Sequence, residues 1–322
     1  VPAFLAHPVA RFLARRVVYS AIVLLGVMVV TFSIVHLVPG DPVRIALGTR
    51  YTEEAYTALR AASGLDRPLP AQFVSYVGSA LTGDLGVSFR TGQPVAVSLA
   101  DRLPATASLA VVGLVIALVI ALPLGIWAAL HEGRVSDAVI RVGSQLGVSV
   151  PDFWLGILLI TLFAATLGWL PSSGYTPFLE DPGGWLSHVL LPGLTVGLVA
   201  GAIMTRYIRA AVLEVVSMSY VRTARSKGLP PRIVTLRHIL RNALVPVLTI
   251  AGIQLATILG GVIVVEVVFA WPGLGRLVYD AVAARDYPLI QGAVLLIAAM
   301  FLLVNLVVDV LYAAIDPRIR LS

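Results

Sequence analysis

The stretch YVRTARSKGLPPR, residues 220–232, carries four cations (Arg222, Arg225, Lys227 and Arg232) and no anion. It lies between two strongly apolar runs, and Lys227 is the only lysine in the 322-residue chain. A break is written into it. Met218, Val221 and Ala224 recur at helical spacing, Gly228 is placed for a left-handed C-terminal turn, and Pro230 with Pro231 stops one helix and starts the next, PRIVTLRHILRNAL. Two readings fit: a basic juxtamembrane loop obeying the positive-inside rule, or an element whose small residues and designed break suit docking into a partner's groove.

The surroundings decide the class. Charged residues are 12% of the chain, hydrophobic residues 58%, and the mean hydropathy is +0.94. With repeated apolar runs near the roughly 20 residues that cross a bilayer, this is an all-α integral membrane protein. The net charge of +6 points away from nucleic acid, because the cations sit beside hydrophobic runs, where topology and anionic lipid account for them. With no cysteine, disulfides, iron–sulfur centres and thiolate zinc sites are excluded.

Apolar windows mark six transmembrane helices, at about 17–38, 105–130, 138–170, 188–208, 243–268 and 289–313. The third holds Arg141, Gln145, Pro151 and Asp152, so a kink is expected near Pro151. The first follows Arg11, Arg15 and Arg16 as a signal peptide would, but it is 22 residues long without a small-residue cleavage site before PGDP, and reads as a retained helix. With the N-terminus inside, cytoplasmic segments hold 15 of the 23 cations, eight of them within 206–241. Both termini, 1–16 and 314–322, are then cytoplasmic, and so is the opening stretch.

The long outer segment, 39–104, is expected to be a small ordered subdomain. TEEAYTALRAASG reads as a helix with Thr52 as its N-cap and Gly64 as its stop, and PAQFVSYVGSALTG as a second helix ended by Gly83. GDLGVSFRTGQPV then packs turn residues around an aromatic. A structural lid and a contact for partner or substrate both remain open for it.

Chemistry of its own is not written into the chain. The five histidines fall on both sides of the membrane with no metal-ligand spacing, and no G-x-S-x-G elbow occurs. A P-loop needs Gly-Lys-Ser/Thr, and the only lysine stands in SKG. If ATP drives this protein, the ATPase is another polypeptide docking from the cytoplasm, and residues 206–241 are the largest feature offered to it. No matching pair of broken helices marks an inverted repeat.

YVRTARSKGLPPRIVTLRHILRNALVPVLT resembles the EAA loop of binding-protein-dependent ABC importer permeases, in which a short coupling helix precedes a glycine. Arg222-Thr223-Ala224 stands in place of Glu-Ala-Ala, a departure typical of the dipeptide/oligopeptide branch. PGDPV, GDLGVSF, SVPDFWLG, LPSSGY, LLPGLT, LGGVIVVEVVFAWPGLGRLVYDAVAARDYP and DVLYAAIDPRIR resemble the B-type permease subunit of that branch. The resemblance implies a type I ABC importer permease fold, a five-helix core over 105–313, and a multi-pass protein of the bacterial cytoplasmic (inner) membrane. It implies four kinds of partner: a paralogous C-type permease, two cytoplasmic ATPase subunits that bind ATP and Mg, an extracytoplasmic solute-binding protein, and a short peptide as cargo. The chain itself would be no enzyme and hold no cofactor. Tyr220, Arg222, Thr223, Ala224, Arg225, Lys227 and Gly228 would couple it to the ATPases.

On the fifth span Gly252, Ala256 and Gly260 form a small-xxx-small stripe suited to close helix packing, while Gln254, Thr257 and Gly261 mark a neighbouring face that could line a polar path. Interhelical hydrogen bonding explains Gln254 and Thr257 equally well. Glu266, about 33 Å along a continuous helix from Leu244, is expected near the outer surface, either snorkelling or pairing with Arg276 or Arg285, or acting as an outer-gate carboxylate. Nickel chelates, glutathione or haem are alternative cargoes. A stand-alone secondary transporter or membrane enzyme is the reading of a different class, and only that reading expects activity from the isolated chain.

Overall fold

The computed structural model describes residues 8–37, 40–48, 51–260 and 262–315. In chain order, α1 (Pro8–Leu37) is followed by three short helices, α2 (Pro42–Leu47), α3 (Glu53–Ala62) and α4 (Leu69–Leu81). Long α5 (Val95–Leu130) leads to α6 (Val135–Ser149) and α7 (Asp152–Leu159), which runs on into a π-helical stretch, Ile160–Thr166. Then come α8 (Pro182–Ser217), α9 (Ser219–Ser226) and α10 (Pro231–Ile233), a second π-helical stretch, Val234–Leu240, and α11 (Arg241–Leu259). Short α12 (Ile263–Val268), α13 (Leu274–Ala284) and α14 (Tyr287–Ile315) complete the chain.

Among the described residues five helical spans are long and apolar enough to cross a membrane: Ala14–Leu37, Val95–Leu130, Pro182–Ser217, Pro231–Leu259 and Tyr287–Leu311. A sixth forms if α6 and the α7–π segment are one span, bent by 97°. The bend has a local cause: Val150 precedes a proline and is extended (φ −82, ψ 124), which the proline ring enforces by its clash with a helical predecessor.

Three expected boundaries move. The second span, read as 105–130, belongs to α5, which starts at Val95 and so takes in the end of the segment read as 39–104. The fourth span, read as 188–208, belongs to a helix of 36 residues, because Asp181 caps it early by accepting from the Gly184 N–H at 3.0 Å and its charged C-terminal turns continue past the apolar window. The fifth, read as one helix over 243–268, is interrupted: α11 closes at Gly260, Val262 is non-helical (φ −81, ψ 58), and α12 starts afresh at Ile263. Glu266 therefore does not continue the α11 face, and the 33 Å helical reach assumed for it does not apply. Two adjacent glycines supply the weak point, since glycine costs helix stability and adds no packing.

The chain divides into two compact units, one of residues 1–106 and 272–302, the other of 107–271 and 303–322. In the first, Val95 and Leu99 of α5 pack with Leu274, Ala281, Leu289 and Ala293 of α13 and α14. Asp41 caps α2, accepting from the N–H groups of Val43 (2.9 Å) and Arg44 (3.2 Å), and also takes the Tyr56 hydroxyl at 2.6 Å and Arg60 at 3.3 Å. Burial alone would raise its pKa. The hydrogen bonds from Tyr56 and the two backbone N–H groups, with the Arg60 charge, outweigh burial and hold it below the ordinary carboxylate value. Thr52 caps α3, and Gly64 and Gly83 turn the chain after α3 and α4.

In the second unit α8 is the central helix, packed by α6, α7 and α11. Its Gly193 and Gly197 let α5 approach so closely that a Cβ on either would lie 2.7 Å from Val112 or Ile116. Lipid offers no hydrophobic gain for helix association, so close van der Waals contact of this kind carries it. Gly252 of α11 meets Val308 of α14 in the same way.

Candidate functional site

α9 is a single amphipathic helix of eight residues, SYVRTARS. Val221 and Ala224 are buried, while Arg222, Thr223, Arg225 and Lys227 are exposed. Its end is a Schellman turn: the Gly228 N–H donates to the Arg225 carbonyl at 2.9 Å and the Leu229 N–H to the Ala224 carbonyl at 3.4 Å. Gly228 takes φ +74, the left-handed region, and a Cβ added there would meet nothing within 4 Å. Its requirement is conformational rather than steric.

Tyr220 fixes α9 to the following segment. Its hydroxyl donates to the His238 carbonyl at 3.2 Å and accepts from Asn242 Nδ2 at 2.8 Å, while Asn242 also donates to the His238 carbonyl at 2.8 Å. That carbonyl lies in the π-helical stretch Val234–Leu240, where the wider i→i+5 pattern disturbs the regular carbonyl ladder. The result is a helix–turn–helix corner with an apolar underside and a cationic outer face. Met218, Leu229, Ile233 and Leu236 add exposed apolar area to it.

The four path candidates are not brought to one face. Gln254 is buried in α11, whereas Thr257 is exposed and its hydroxyl donates to its own helix at the Ile253 carbonyl, 2.8 Å. Gly261 lies outside the described residues. Glu266 is 1% exposed, inside the protein rather than at its surface, which removes the snorkelling alternative. Just beyond it Ala270 stands at φ +51, a left-handed conformation that a non-glycine residue adopts at a cost of about 1–2 kcal/mol. The strained turn seats Trp271, fully buried and edge-on to Tyr175 with centroids 4.8 Å apart. The Gly174 N–H donates to the Phe269 carbonyl at 3.2 Å. Two stretches quoted separately from the sequence, LPSSGY and VVFAWPG, thus form one corner.

Sequence reasoning missed two polar locks. Asp137, 1% exposed, receives Arg209 Nε at 2.6 Å and Nη2 at 2.9 Å, accepts the Gly133 N–H at 3.1 Å, and has Arg141 at 3.6 Å. It ties α6 to the polar end of α8. Asp286, also buried, takes the Ser88 hydroxyl in a very short hydrogen bond and the Phe89 N–H at 3.2 Å. This clasp joins GDLGVSF to RDYP. The available signal was a lone acid near an arginine-rich helix in one case and an acid between two turn residues in the other.

Five helices of membrane length, or six if the bent pair is one span, make this a multi-pass membrane protein, with a cationic, glycine-broken corner after α8. Residues 121–321 match the family described as binding-protein-dependent transport system inner membrane component, and residues 9–110 match that system's membrane component N-terminal family. A Brucella abortus (strain 2308) protein, provisionally named a peptide transport system permease, is 41% identical over 306 residues, covering 95% of this chain and 98% of its own. The glutathione transport system permease GsiC of Escherichia coli (strain K12) is 44% identical over 294 residues, 91% of this chain and 94% of its own. An inward-facing MetNI methionine ABC transporter chain shares the fold, with a TM-score of 0.56 at 19% identity, over 68% of this chain and 96% of that one. The chain belongs to the binding-protein-dependent transport system inner membrane components. It is a permease subunit of an ABC importer with the type I fold, and ATP hydrolysis belongs to a separate subunit.

Proposed function

We propose that this permease moves short peptides across a bacterial cytoplasmic (inner) membrane, in a heterodimer with a paralogous C-type permease. Two cytoplasmic ATPase subunits would bind ATP and Mg and seat α9, and an extracytoplasmic binding protein would deliver the peptide. The peptide and glutathione names of relatives above 40% identity support this cargo class. The observation that carries the coupling role is the α9 corner: an apolar underside anchored through Tyr220 to His238 and Asn242, with Arg222, Arg225 and Lys227 exposed toward acidic or polar groups on an ATPase. In this reading Tyr220, Arg222, Thr223, Ala224, Arg225, Lys227 and Gly228 transmit closure of the ATPase dimer. Gln254, Thr257, Gly261 and Glu266 serve the path or its gate, with Glu266 acting from the interior.

The test is reconstitution of the chain in liposomes alone, then with the C-type permease, ATPases and binding protein. Peptide uptake is expected only from the full set, and Arg222→Glu with Arg225→Glu should abolish stimulated ATPase activity. Uptake by the chain alone, or full stimulation of the charge-reversed variant, would overturn the coupling role. Uptake of a nickel chelate or haem in place of peptides would overturn the cargo.

A further inference from the structure

Within the unit of residues 1–106 and 272–302, α1 and the corner between α13 and α14 enclose a groove of about 690 Å³. Its α1 wall runs from Val23 to Val35 and its opposite wall includes Ile290 and Val294 of α14. Along α1 that wall is about 18 Å long at 1.5 Å per residue, close to the depth of one leaflet of a roughly 30 Å hydrocarbon core. Gly26 leaves it open: a Cβ there would meet nothing within 4 Å. Two hydroxyl-bearing residues line it, Thr31 and Tyr287, and the Thr31 hydroxyl is already spent on the carbonyls of Val27 (2.9 Å) and Met28 (3.2 Å).

Arg285 closes the end that the charge distribution assigns to the outside, where α1 gives way to the short helices. Its guanidinium reaches to 3.9 Å from a Cβ built on Gly40, just beyond α1. It is exposed, stands at φ +54, and makes no side-chain hydrogen bond or ion pair among the described residues. The neighbouring Asp286 does not neutralise it, because that carboxylate is engaged by Ser88 and Phe89. An apolar slot one leaflet deep therefore ends, at headgroup level, in a cation with no partner among the described residues. Guanidinium pairs strongly with phosphate oxygens.

We infer that this groove is a site for one outer-leaflet phospholipid, with an acyl chain along α1 and the phosphodiester on Arg285. The occupant is committed by the combination of leaflet-length apolar wall and cationic mouth. A neighbouring subunit's helix would leave Arg285 needing an acid, and a zwitterionic peptide would leave the apolar wall unmatched.

The test uses the assembled transporter, delipidated and supplied with phosphatidylglycerol or, separately, dioleoylglycerol, which lacks the phosphate. Native mass spectrometry counts bound lipid per permease chain, and a photo-crosslinking residue in place of Val30 reports what lies in the groove. One phosphatidylglycerol per chain and a lipid adduct at position 30 are expected. Gly26→Leu, which fills open space, should abolish retention. Arg285→Gly, which suits the left-handed backbone, should weaken phosphatidylglycerol about tenfold, the size of one charge-assisted hydrogen bond, and bring it level with dioleoylglycerol. Equal binding of the two lipids to the unmodified protein, retention unchanged in both variants, or an adduct to another subunit each overturns the proposal.

Discussion

Replacing Gly228 separates a conformational lever from a mere basic loop, because a side chain there has room and only the backbone objects. Gly228 sits at φ +74 with open space around the Cβ position, so no clash enters the cost. An L-residue with a Cβ pays about 1–2 kcal/mol in the left-handed region, asparagine least and β-branched residues most. A loss of 1–2 kcal/mol shifts the ratio of capped to uncapped α9 about 5- to 30-fold. The series should therefore run Gly228→Asn near the unmodified protein, Gly228→Ala lower and Gly228→Val lowest, with about fivefold and about thirtyfold as the ceilings on the two losses. The readout is binding-protein-stimulated ATP hydrolysis and peptide uptake in proteoliposomes, with a topology reporter confirming equal membrane insertion. An asparagine variant as impaired as the valine variant, or a valine variant with normal uptake, would refute the argument.

Three further outcomes follow from other sites. Asp137→Asn should cost about 2–3 kcal/mol, below the 3–5 typical of breaking a buried pair because Arg209 keeps 19% exposure; a double-mutant cycle with Arg209→Gln in mixed micelles checks it, and an interaction energy near zero would reject the pair. Asp41, whose pKa is lowered in the folded protein, stabilises α2 and α3 above the ordinary carboxylate value of about 3.9, and that stability is lost as pH falls through the folded value. The protection of amides over residues 40–66, measured against their intrinsic exchange rates, should fall below about pH 4, with Asp41→Asn already weakly protected at pH 7 and its protection little changed by pH; protection that ignores pH in the unmodified protein counts against it. Asp286→Ala should free the 84–94 segment to proteolysis while leaving α9 unaffected, and unchanged cleavage there would show that the clasp is dispensable.

Membrane class, the number of spans and the α9 corner were legible because each is set by neighbours in sequence: apolar run length, a glycine at helical offset, paired prolines. Thr52, Gly64 and Gly83 were readable for the same reason, since caps are local chemistry. Asp286 with Ser88 was not, because the partners stand 198 positions apart, nor was Asp137 with Arg209, 72 apart. Periodicity carries no information about such distances. The break after Leu259 is half-visible: Gly260 reads as part of a packing stripe and Gly261 as part of a polar face, but a hydropathy window averages across a kink and reports only that the segment is apolar.

The π-helical stretch after α10 has a consequence for tolerated chain length. A wide turn of this kind accommodates one residue more than the α-helical path between the same endpoints. Deleting one residue within 234–240 lets the backbone relax to α geometry with Arg241 onward keeping its facing. The same deletion in the middle of α8 rotates every later side chain by about 100°, one residue's share of a 3.6-residue turn, and swings Arg209 off Asp137. Length variation should therefore be admitted at the hinge beside α9 and refused in the central helix, so that single-codon deletions scanned along 182–259 would leave assembled protein chiefly where the ladder is already wide.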